Sequence, residues 1–165
     1  MMHAFRRSHL PLVVVAAAVV TAACARTDLA ASAKLTDVTT GWYDAGVTEG
    51  GKNKLVPSIS LRIRNDGPKA LGSTQLNLIF KRVIDKDEWT DSFVRGIGSE
   101  GLPSGQTSPP IVVRARQGYT GIQPRAQMLS NKQFVDFKVE VFGKHGSASW
   151  VRLGEFPITR QLLTR

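Results

Sequence analysis

The stretch Ser58-Ile59-Ser60-Leu61-Arg62-Ile63-Arg64, followed at once by Asn65-Asp66-Gly67-Pro68, sets the fold class. Polar and apolar residues alternate through it without a break. Successive strand side chains point to opposite faces, so Ile59, Leu61 and Ile63 share a buried face. Gly67 admits a positive φ and Pro68 offers no backbone donor, so the strand stops there.

The same grammar recurs downstream. Gln75 to Lys81 alternates with Leu76, Leu78 and Phe80 inward. The polar run Asp85-Lys86-Asp87-Glu88 predicts a hairpin tip, with Trp89 to Arg95 returning antiparallel. Ile111 to Arg116 reads as another strand. In Phe134 to Phe142, Val135, Phe137, Val139 and Val141 face one way, and Asp136, Lys138 and Glu140 the other. Trp150 to Phe156 follows, and Pro157 limits it to an edge or a bend. A first strand is expected near Leu35 to Tyr43. Pro124 to Asn131 is the one helical candidate, because proline suits a first helical turn. Crossover helices of a parallel α/β fold are missing. The pattern predicts an all-β, antiparallel, immunoglobulin-like β-sandwich of about seven strands, with at most one short helix.

Ile59 to Ile84, an alternating strand, an Asn-Asp-Gly turn and a second strand ending in a charged hairpin, resembles bacterial exported immunoglobulin-like modules. The likeness is to the FxLYD and late-embryogenesis-abundant-like sandwich domains. It covers about a quarter of the domain, and Phe80 is followed by Lys81-Arg82 rather than by Leu-Tyr-Asp. The resemblance implies a sandwich fold and an exported lipoprotein.

Upstream, Arg6 and Arg7 precede an uncharged run from Leu10 to Val20, then Thr21-Ala22-Ala23-Cys24. A positive start, a short apolar middle and a small-residue exit form a secretory signal. The run is shorter than the ~20 apolar residues a membrane span requires. Val20 to Cys24 resembles a bacterial lipobox, with Thr21 where leucine is usual. Cys24 is then the lipid-attachment residue, residues 1–23 the signal, 24–33 a flexible tether and 34–165 the domain. The rival is cleavage at Ala23-Cys24-Ala25 or Ala31-Ser32-Ala33, which discards Cys24. Either way, the single cysteine permits no intramolecular disulfide. Loss of Arg6 and Arg7 takes the formal charge from +9 to +7, since every acid lies beyond them. The positives are scattered, which argues against nucleic acid.

Reactive chemistry is scarce. His3 and His9 leave with the signal, and His145 sits in a Lys-His-Gly-Ser turn, where an imidazole is ordinarily solvated. Zinc wants three or four Cys, His or carboxylate ligands. Asp85, Asp87, Glu88 and Asp91 lack the glycine and distal glutamate of a calcium loop. No metal, cofactor or catalytic residue is expected. Trp42, Trp89 and Trp150 read as packing residues, since a sugar platform needs two of them coplanar on one exposed face. The loops Gly96 to Pro110 and Arg116 to Gln133 are long enough to be functional. Ser99 and Glu100 in the first, and Tyr119, Gln123 and Arg125 in the second, are the candidate recognition residues. The resulting expectation is a non-catalytic cell-envelope lipoprotein, held to the membrane by lipid on Cys24, that binds an envelope protein. A module for envelope polymers or carbohydrate is the alternative, and a hydrolase the third.

Overall fold

The computed structural model describes residues 28–85 and 89–163. Two antiparallel sheets of four strands pack face to face. In chain order the elements are α1 (Leu29–Ser32), β1 (Ala33–Val47), β2 (Asn53–Asn65), β3 (Thr74–Arg82), β4 (Thr90–Ile97), β5 (Ile111–Arg114), β6 (Tyr119–Gly121), α2 (Arg125–Ser130), β7 (Phe137–His145) and β8 (Val151–Ile158). The first sheet runs β1-β2-β5, with β6 also on β2; the second runs β4-β3-β7-β8. The fold is therefore the all-β sandwich that the alternation predicts.

The alternating positions form the core. Ile59, Leu61 and Ile63 from β2 meet Leu76, Leu78 and Phe80 from β3, and Val139 and Val141 from β7, all fully buried. Each such side chain contributes about 1.5–3 kcal/mol when removed from water. Pro57 lies inside β2, a central strand, where proline is ordinarily excluded. Its carbonyl accepts from Ala115 N at 2.9 Å, on the side where β5 ends and β6 has not begun. The missing N–H thus falls in a gap between two partner strands.

Three elements differ from expectation. Tyr119–Gly121 is a strand inside the expected loop Arg116 to Gln133: a Cβ on Gly118 would lie 2.1 Å from the Leu55 carbonyl oxygen, so this glycine serves a close backbone approach. The strand expected at Phe134 starts at Phe137, and Phe134 is instead buried ahead of it. Residues 29–33 of the expected tether are folded: α1 is a second short helix, with Leu29, Ser32 and Ala33 buried. Asp28 caps it, its Oδ1 accepting from Ala30 N at 3.0 Å. The expected signal and Cys24 lie outside the described residues.

The two lateral edges are unlike. At the β1/β8 edge, Thr40 Oγ1 donates to Pro157 O at 2.8 Å, and Trp42 N donates to Gln161 O at 2.8 Å. Trp42 and Leu162 form a parallel bridge, so the chain after β8 stitches this edge shut. At the β4/β5 edge, the Arg116–Asp91 ion pair at 3.1 Å reaches across.

Candidate interaction surfaces

β2 runs the length of the sandwich, and its 13 residues span about 40 Å at ~3.3 Å each. Its Asn65 end carries α1 and the loop after β4. Its Asn53 end carries β6 and α2. The two loops chosen from sequence therefore sit at opposite ends. Ser99 and Glu100 are exposed at the α1 end, while Tyr119, Gln123 and Arg125 gather at the α2 end.

The first loop is mostly a packed cap. Leu102 bridges Leu71 and is buried. Asn65 is wholly buried and clamps the loop: its Nδ2 donates to Lys69 O and Leu102 O, each at 2.8 Å, and its Oδ1 accepts from Gly67 N at 3.0 Å. Ser99 and Glu100 project from this cap.

The second loop builds a shallow pocket of about 280 Å³ lined by Tyr119, Gln123, Met128, Asn131 and Phe134 among others. Tyr119 is not a free contact residue. Its ring lies 4.7 Å from that of Phe134 and 5.6 Å from that of Trp42. Burial pushes its phenol above the ordinary value, with a hydrogen bond from the Val135 backbone opposing. Arg125 Nε lies 2.5 Å from Asp44 Oδ2, and the guanidinium beside it holds the Asp44 carboxyl below its usual range.

The groups weighed for catalysis and metal binding are engaged elsewhere. His145 Nδ1 lies 2.8 Å from the Ser73 carbonyl oxygen and donates to it. Asp85 is paired with Arg82, and Asp91 with Arg116. Asp87 and Glu88 lie outside the described residues. Among the described residues, no three His, Cys, Asp or Glu side chains are grouped to hold a metal.

Two surfaces escaped the sequence reading. On the outer face of the first sheet, a hollow of about 340 Å³ is lined by Thr39, Tyr43, Ser58, Ser60, Val112, Arg114 and Leu163. Small side chains make its floor, and the register aligns Thr39, Ser60 and Val112 in one row. The Arg114 guanidinium stacks 3.4 Å over the Tyr43 ring. A Cβ on Gly41 would lie 2.8 Å from the Leu163 side chain, so the glycine lets the C-terminal segment lie flat there.

The second surface is on the outer face of the second sheet. Phe93 is 63% exposed and Trp150 37%. Their rings are 5.9 Å apart at 57°, with Lys144 Nζ 5.3 Å from the Trp150 ring. Trp42 is fully buried, and Trp89 packs edge-on against Phe137 at 4.6 Å. Alternation within β4 and β5 marks Phe93 and Arg114 as outward-facing. It does not show what stands beside them.

The chain matches no known protein-family model and no curated protein. Among solved structures, it is similar to the X-ray structure of Northeast Structural Genomics Consortium target SoR45. That chain is 14% identical, with a TM-score of 0.45 over 79% of this chain and 88% of that one.

Proposed function

We propose that this chain is a non-catalytic lipoprotein of the bacterial cell envelope that binds another envelope protein. Cys24 is its lipid anchor, at the end of a secretory signal. The packing of α1 supports cleavage before Cys24 over cleavage after Ala33, since the later cut would strip buried Leu29 from the core. The resemblance of residues 59–84 to exported sandwich modules is consistent with this reading.

The hollow on the first sheet carries the proposal. Tyr43, Val112 and Leu163 offer apolar contact, and Ser58, Ser60 and Thr39 offer hydroxyls beneath. Arg114 is a cation already ordered by its stack on Tyr43. An aromatic and an arginine beside apolar walls is the composition of protein interface anchors. Val112, 56% exposed, extends this surface toward the open β4/β5 edge. The carbohydrate alternative has less support, because its platform needs two coplanar exposed tryptophans, whereas Trp42 is in the core cluster and Trp89 is partly buried against it.

The test combines two variants in the native envelope. Cys24→Ser is expected to leave the membrane fraction, as a soluble or unprocessed chain; unchanged fractionation refutes the anchor. Tyr43→Ala/Arg114→Ala is expected to stay on the membrane and to lose, by at least about tenfold, the partner cross-linked through a probe at Val112. An undiminished cross-link in a normally folded double variant refutes the hollow as the contact.

A further inference from the structure

We infer that the α1-end corner of the second sheet is a membrane-contact patch, resting on anionic lipid head groups through Phe93, Trp150, Arg95 and Lys144. This rests on the lipid-anchor reading of Cys24.

The first argument is covalent reach. Asp28 lies four residues after Cys24 and already caps α1. Four residues extend at most about 14 Å. A chain acylated at Cys24 therefore holds its α1 end against the bilayer surface. A ten-residue flexible tether would have imposed no such orientation, but α1 packs against β7 and β8 and shortens it.

The second argument is the charge pattern of the outer face of the second sheet. Toward the α2 end, cations are neutralised: Lys81 pairs with Glu140, Lys138 with Glu155, and Arg116 with Asp91. Arg152, in the register row of Phe93, is also neutralised, by Glu140 and Glu155. Toward the α1 end, Arg95 and Lys144 flank Gln75 in register and have no carboxylate partner among the described residues. Unpaired cations at this position are attracted to an anionic membrane surface.

The third argument is the aromatic pair. Phe93 lies two residues from Arg95 on the same face of β4, and Trp150 rests beside Lys144. Tryptophan with flanking cations suits the boundary between head groups and acyl chains. With this corner on the membrane, the hollow lies on the sandwich's other face, clear of the lipid.

The experiment uses the full acylated protein in vesicles. Cys24 is the only cysteine and its thiol is consumed by lipid, so an introduced cysteine is the only free thiol. An environment-sensitive dye is placed at Ser147→Cys, in the exposed β7–β8 turn, or at Lys132→Cys, exposed at the α2 end. In vesicles containing phosphatidylglycerol, a head-group quencher is expected to act several-fold more strongly on the dye at 147 than at 132. The difference should fall several-fold, to what the short tether alone imposes, in phosphatidylcholine vesicles and in the Arg95→Glu/Lys144→Glu variant; a difference unchanged in both overturns the patch. It should shrink in Arg95→Gln/Lys144→Gln, which keeps both stems. Anchored protein with equal quenching at both sites overturns the patch while leaving the anchor intact. Protein that carries no lipid and does not co-float with vesicles overturns the anchor itself. A response at 147 that needs an added acidic envelope protein overturns the lipid assignment in favour of that partner.

Discussion

Asn65 shows how much one side chain can organise. It was legible as a turn residue after an alternating strand. Its larger task is to tie two loops together from inside the domain, with every polar atom of its side chain satisfied. Asn65→Ala would leave two carbonyls and one N–H without that partner in a buried site. The expected loss is about 2–4 kcal/mol, read as a lower urea midpoint; a midpoint equal to the parent's refutes the clamp. Glu140 is a second case. Lys81 Nζ lies 2.6 Å from its Oε2, and that hydrogen bond holds the carboxyl below its ordinary 4.5. A carboxyl depressed by folding adds stability above its unfolded pKa and loses it as pH falls through the folded value. Glu140→Gln should therefore cost about 1 kcal/mol at neutral pH and nothing in acid below the folded pKa. Parallel stability curves for the two proteins from neutral pH into acid would refute this coupling.

Strands with unbroken alternation were legible, since period two is a property of one strand and one buried face. β2, β3 and the heart of β7 follow from it directly. α1 was not legible, because Leu-Ala-Ala-Ser carries no period and is too short to hold a helix unaided. Its stability comes from Asp28 and from the core that Leu29 enters. β6 was hidden because Gly118 and Gly121 read as turn residues, and only proximity to Leu55 gives Gly118 another reason. The segment after β8 was equally silent, yet it seals one edge of the sandwich. Thr40 is the centre of that seam: its hydroxyl donates to Pro157 O and accepts from Thr159 N at 3.2 Å. Thr40→Val keeps the shape and removes both bonds. It should cost about 1–2 kcal/mol and speed amide exchange at Trp42 and Leu163 more than in β3. Uniform exchange changes across both sheets would show that the seam is not a separate unit.

For the molecule as a whole, function depends on which surfaces face the same way. The loops picked for their length turned out to cap opposite ends, so Ser99 and Glu100 cannot act with Tyr119, Gln123 and Arg125 on one compact ligand. The surfaces that can act together join residues far apart in the chain: Tyr43 with Arg114, and Phe93 with Trp150. From the order of residues alone came the all-β class, most strand positions, the inward faces and the scarcity of reactive groups. These follow from local periodicity and composition, which need no knowledge of neighbours. Strand order, the sealed and open edges, the folded end of the tether and both exposed clusters came from the assembled sandwich. They arise where two sheets choose partners across long sequence separations, and that choice is made by the summed burial of the core rather than by any one segment's pattern.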